Sequence, residues 1–186
     1  MITKLSTLTI AAAAAVFAAP ALAYPDSKNT CTFNDVKANG VAANDCRGAF
    51  DGNEVGVGAD PGRQATTDYI NSIAAWGGGY SWYGELPGPA GDDEKTGQIT
   101  LPYVMTTPFV VSVKGGTDFA LYQFNNSNGT TTLDFSTAAL TNGGGNQPGW
   151  SHSGLWVTAV PEPETYALLL AGLGAVGLMA RRRQRT

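Results

Sequence analysis

The chain of 186 residues is expected to be mainly β: a single small, jelly-roll-like β-sandwich with one short helix, flanked by an N-terminal signal helix and a C-terminal transmembrane helix. Three observations predict this. Glycine clusters at 56–62, 77–79, 88–91, 115–116 and 143–145 cut the middle of the chain into short segments, as an all-β sandwich requires. Two β-rich runs, Phe109 to Lys114 and Thr117 to Phe124, surround the Gly115-Gly116 pair and read as a hairpin. Each end of the chain is an apolar segment that does not belong to such a core.

From the N-terminus, residues 1–23 carry Lys4 as their one charge, an alanine-rich stretch from Leu8 to Ala19, and Ala21-Leu22-Ala23, an A-x-A site for signal peptidase. Cleavage is expected between Ala23 and Tyr24, so the exported domain runs over 24–160. Cys31 and Cys46 are the only cysteines, and an oxidising periplasm or exterior favours their pairing. Closing a loop of this length is worth ~3 kcal/mol in the chain-entropy model. Asp35-x-Lys37-x-Asn39-Gly40 inside that loop has the look of a calcium loop, but its third position is lysine and its twelfth is Cys46. Segment 31–46 is therefore read as a polar, disulfide-closed turn. Zinc is excluded as well, because two cysteines and one distant histidine fall short of four ligands.

Tyr69, Ile70, Ile73, Ala74 and Trp76 fall at helical spacing, which predicts a helix from Thr66 to Trp76, with Thr66, Thr67 or Asp68 capping its start and Gly77 its end. A two-residue Gly-Gly loop sets Lys114 opposite Thr117. Val113/Asp118, Val111/Ala120 and Phe109/Tyr122 then share one face, and Ser112/Phe119 and Val110/Leu121 the other. Both faces are largely apolar, which places the hairpin in the middle of a two-layer structure. Further strands are expected in Gly79 to Leu86, Gln98 to Leu101, Thr131 to Phe135 and Gly154 to Val160.

The last 26 residues, 161–186, combine Pro161-Glu162-Pro163, an uncharged segment over 165–180, and Arg181, Arg182, Arg183 and Arg185. As a helix the segment spans ~24 Å, and snorkelling arginines let it cross the hydrocarbon core. The arginines act as a stop-transfer signal and stay cytoplasmic by the positive-inside rule, which leaves everything before Pro161 on the outer side. Triplet, apolar helix and basic tail at the C-terminus resemble the PEP-CTERM sorting signal of Gram-negative bacteria. The resemblance implies processing by an exosortase after export through the signal peptidase and the secretory translocon. A second resemblance rests on Asp45-Cys46 with Gly48, Gly52-Asn53, GGGYSW at 77–82, VKGGTDFALYQF at 113–124 and TNGGGNQPGWSHSGLWV at 141–157. This order is similar to a recurring group of PEP-CTERM exported proteins with a Lys-Gly-Gly hairpin and a closing Ser-His strand. It implies a small β-sandwich and supplies no activity.

Between residues 24 and 160, six basic side chains stand against thirteen carboxylates, a net charge of −7. Such a surface disfavours nucleic acid and anionic lipid. No phosphate loop, dinucleotide fingerprint or metal-protease motif is present, and no cofactor or metal is expected. His152 is the sole histidine, and Gly149-Trp150-Ser151-His152-Ser153 fails the nucleophile-elbow pattern at its last glycine. It reads as a structural histidine. Asp92-Asp93-Glu94 reads as a solvated turn rather than a glycosidase pair, so no catalytic residue is assigned. Trp76, Tyr80, Trp82, Tyr83 and Trp156 read mainly as core aromatics. Trp150, in a Gly/Asn/Pro-rich loop, is the expected glycan contact. The expectation is a non-enzymatic surface or biofilm-matrix protein, held briefly in the inner membrane and then placed at the cell surface or in the exopolysaccharide matrix. The competing class is an extracellular polysaccharide-acting hydrolase or a carbohydrate-binding module, marked by a cleft that holds His152 or paired carboxylates.

Overall fold

The computed structural model describes residues 24–158, apart from 26, 29, 92, 142 and 143, together with residue 173. Residues 1–23 with the Ala21/Ala23 site, the Pro161-Glu162-Pro163 triplet, the apolar segment 165–180 (residue 173 aside) and the four arginines lie outside the described residues.

The domain is a sandwich of two antiparallel sheets. One has four strands in the order β2 (Val41–Ala42), β1 (Val36–Ala38), β8 (Thr132–Ser136), β5 (Thr96–Thr100). The other has five, in the order β3 (Asp45–Asp51), β7 (Asp118–Phe124), β6 (Phe109–Gly115), β9 (Trp150–Thr158), β4 (Tyr80–Leu86). Period-two alternation supplies the core between them. Val36, Ala38, Ile99, Leu133 and Phe135 of the first sheet meet Phe109, Val111, Val113, Tyr122, Phe124 and Leu155 of the second.

The β6–β7 pair is central and buried on both faces, as its two apolar faces require, but a third layer covers the outer one. Phe50, Val110, Phe119, Leu121 and Trp156 pack there under Val55, Ile70, Trp76, Tyr24 and Tyr69. The register differs from expectation by two residues: Lys114 faces Phe119 and Gly115 faces Asp118, so the loop is Gly116-Thr117. Each glycine has its own reason. Gly116 takes φ +57° at the first loop position, whereas a Cβ on Gly115 would sit 2.7 Å from the carbonyl oxygen of Gly149, the residue before β9. An even shift keeps every side chain on its face, so the face assignment survives.

Segment 31–46 is more ordered than a polar turn. It holds a 3-10 turn at Phe33–Asp35 and the β1–β2 hairpin, whose loop Asn39-Gly40 has φ of 50° and 77°. Both values are positive, as a type I′ turn demands. The helix also moves. Helix α1 spans Gly62–Ser72, with Pro61 at its N-cap, and a separate 3-10 turn covers Ala74–Trp76 before left-handed Gly77. Thr66 and Thr67 do not cap; their hydroxyls donate to the carbonyls of Gly62 and Arg63 one turn back. Strand β9 begins at Trp150, four residues before the expected start, and β3 is an additional strand.

Candidate functional site

Polar chemistry concentrates on the outer face of the five-stranded sheet. Ser112 and Lys114 alternate along β6, and His152 of β9 pairs with Lys114. Glu54, in the chain leaving β3, is fully buried against them. Its Oε1 accepts from the Ser112 hydroxyl at 2.7 Å, and the Ser112 oxygen accepts from Gly154 N–H at 2.7 Å. Its Oε2 faces His152 Nε2 at 3.5 Å, and among the described residues neither atom has a hydrogen-bond partner. Lys114 Nζ donates to the Gly116 carbonyl at 2.6 Å. Burial pushes the Lys114 ammonium below its ordinary range, against the pull of the Glu54 and Asp118 carboxylates. A side chain left this way would be costly alone. The Ser112–Glu54 bond holds the loop after β3 onto the sheet.

On its other side His152 Nδ1 lies 3.3 Å from the Ser151 hydroxyl. Carboxylate, imidazole and hydroxyl thus stand in series, the order an activated nucleophile uses. An open cavity of about 340 Å³ lies elsewhere, lined by Gly56, Val57, Ala59, Pro61 and Arg63 among others, and none of these three groups lines it. Asp93 and Glu94 are exposed, and the Glu94 carbonyl accepts the Trp150 backbone N–H at 2.7 Å. Among the described residues no group of three or more His, Cys, Asp or Glu is placed to hold a metal ion.

The aromatics divide sharply. Trp150 is 8 % exposed: it packs on Gly88 and Phe135, and its indole N–H donates to Ser153 at 3.0 Å. The expectation of a glycan contact at Trp150 is therefore corrected. A loop composition rich in Gly, Asn and Pro precedes the residue, but Trp150 itself opens β9 with its ring turned inward. Trp76, Tyr80 and Trp156 are buried with their polar ends satisfied by Asp45, the Trp76 carbonyl and Thr67. Trp82 is half-buried under the Arg63 guanidinium at 4.9 Å. Tyr83 is different. It is the extra residue of a bulge in β4, and it meets Tyr103 edge-on at 6.1 Å, both rings about half exposed.

Of the residues singled out in the sequence, Cys31 and Cys46 form a disulfide with Cα atoms 6.2 Å apart. Tyr24, the expected first residue of the exported domain, stacks on Tyr69 at 3.9 Å and donates its hydroxyl to Thr66 at 3.2 Å. Burial pushes its phenol far above the ordinary range. Glu54, Ser112, Lys114 and Tyr103 were not anticipated. Ser112 and Lys114 carried a signal, as polar residues two apart in an otherwise apolar strand; Glu54 carried none, since only the fold brings it to them.

Residues 159–183 match the PEP-CTERM protein-sorting motif. The motif implies export, sorting through membrane anchoring and processing by an exosortase. No curated protein and no solved structure matches the chain.

Proposed function

We propose that this exosortase substrate is a non-enzymatic surface or extracellular-matrix protein, associated with biofilm exopolysaccharide in a Gram-negative cell. A signal peptidase frees Tyr24 after passage through the secretory translocon, and the C-terminal helix holds the chain in the inner membrane until it is processed near Pro161-Glu162-Pro163. The observation that carries the reading is the sorting motif at 159–183 joined to a disulfide-braced acidic sandwich. The buried carboxylate of Glu54 ties the loop after β3 to the sheet through the Ser112 hydroxyl. Tyr83 and Tyr103 support the exopolysaccharide part: two half-exposed rings at 76° to each other offer a ledge on which the apolar faces of sugar rings can stack.

The test is retention of the full-length protein in the matrix of an exopolysaccharide-producing host. Retention should fall when Tyr83 and Tyr103 are both changed to Ala, and also when the exosortase is absent. Full retention of the double variant would remove the tyrosine ledge. The Glu54–His152–Ser151 series favours the competing hydrolase reading, and labelling of Ser151 by a fluorophosphonate, with ester cleavage lost in Ser151→Ala, would replace the matrix reading by that one.

A further inference from the structure

We propose that the described residues of the N-terminal segment, 24, 25, 27, 28, 30 and 31, form a redox-controlled clasp, which lies along the outer edge of β3 and is locked there by the Cys31–Cys46 bridge. β3 ends its sheet, with β7 on one side only. An edge strand with unpaired backbone groups is a template for unwanted pairing and needs a cover. The segment supplies one. Lys28 N–H donates to Ala49 O at 2.8 Å and Thr30 N–H to Gly48 O at 2.9 Å, while the Thr30 hydroxyl accepts from Ala49 N–H and donates to Ala139 O at 2.6 Å.

Three fastenings act at three points. At the tip, Tyr24 fills a box made by Phe50, Tyr69 and Phe119. In the middle, Lys28 Nζ bonds Asp51 at 2.8 Å and both oxygens of buried Asp118 at 2.9 Å. At the base, Cys31 is bonded to Cys46 of β3 itself. The first two are side-chain contacts that form and break with local motion; the third changes with the compartment. In the reducing cytoplasm it is absent. Closure is a two-electron step: the two thiols pass two electrons and two protons to an external disulfide, which leaves as a dithiol, and one S–S bond forms. The bridge thereby locks the cover on β3 in an oxidising environment and leaves it to the Tyr24 and Lys28 contacts in a reducing one.

Tryptic cleavage after Lys28 reads the clasp, because Lys28 is the one basic residue in the segment. In the full-length exported protein, reduction by a dithiol or Cys31→Ser should raise cleavage there about a hundredfold, the loop-closure contribution of such a bridge. Hydrogen exchange should show the β6–β7 amides still protected. Tyr24→Ala with the bridge intact should raise cleavage less than reduction does. Cleavage unchanged by reduction would overturn the proposal. So would a Tyr24→Ala protein that opens more than reduced wild type, which assigns the lock to the aromatic box. Loss of protection across β6 and β7 together with the clasp would also overturn it, since the bridge would then support the whole domain.

Discussion

Asp118→Asn tests how much one buried carboxylate contributes to joining three separate segments. Asp118 is fully buried at the start of β7; it accepts Lys28 Nζ from the N-terminal segment, Thr141 N–H at 3.2 Å and the Thr141 hydroxyl at 3.0 Å from the chain before β9. Burial opposes its ionisation, but the bonds from Lys28 and Thr141 outweigh that and hold its carboxyl below the usual carboxylate range. Asparagine keeps the shape and offers one oxygen for two sets of donors. Both sets lose a charged acceptor, and one of them must also face an amide NH₂. Lys28 retains Asp51 and is 38 % exposed, so its share is under ~1 kcal/mol. Two donors of Thr141 left without an acceptor cost about 1–3 kcal/mol. The total is about 1–4 kcal/mol, or a fall of roughly 3–12 °C in melting temperature for a domain of this size. Thermal unfolding by near-ultraviolet circular dichroism measures it. A fall below about 2 °C, or strict additivity with Lys28→Met, would refute the assignment of Asp118 as the joint.

Trp150→Ala should lower stability by about 3–5 kcal/mol in urea unfolding, the cost of emptying a buried indole site, whether or not glycan is present. The Lys28–Asp118 fastening of the clasp should loosen in acid with the bridge intact. Asp118 has a depressed folded value, so its stabilisation is complete above the ordinary value near 3.8 and is lost as pH falls through the lower folded value. Exchange at the Lys28 and Thr30 amides between pH 5 and pH 2, corrected for intrinsic rates, follows the loss over about that range. At the alkaline end two effects oppose. Lys28 is raised by Asp51 and Asp118, so its contribution is full below 10.5 and lost above, whereas depressed Lys114 favours the fold as pH climbs toward 10.5. Neutral replacements of Arg181, Arg182, Arg183 and Arg185 should reduce the processed surface form, measured by surface biotinylation; an unchanged yield would remove their stop-transfer role.

Local chemistry made much of this molecule readable in advance. The sorting tail is a matter of residue order alone, so Pro161-Glu162-Pro163, the apolar run and the arginines were legible without any fold, as was the Cys31–Cys46 pairing from compartment and count. The β6–β7 hairpin was readable because alternation survives an even shift of register. Its loop position was not, since Gly115 is needed for the approach of the Gly149 backbone, which lies far along the chain. Asn39-Gly40 is a hairpin signal, but the strands it joins, Val36–Ala38 and Val41–Ala42, are too short to show alternation in the sequence. The helix boundary was misplaced because threonine hydroxyls serve caps and helix interiors alike, and local sequence does not say which.

What the sequence determined by itself was therefore what depends on neighbours in the chain: the class of fold, the C-terminal sorting motif, the alternating faces of the central strands. Tertiary structure alone decided which polar and aromatic groups are spent inside and which are left outside. Glu54 meets Ser112, Lys114 and His152, Trp150 turns inward while Tyr83 turns out at a bulge, and Asp118 joins residues 28 and 141. Burial is set by what crosses overhead from distant segments. Periodicity reports which face a residue takes, and only packing reports whether that face is covered.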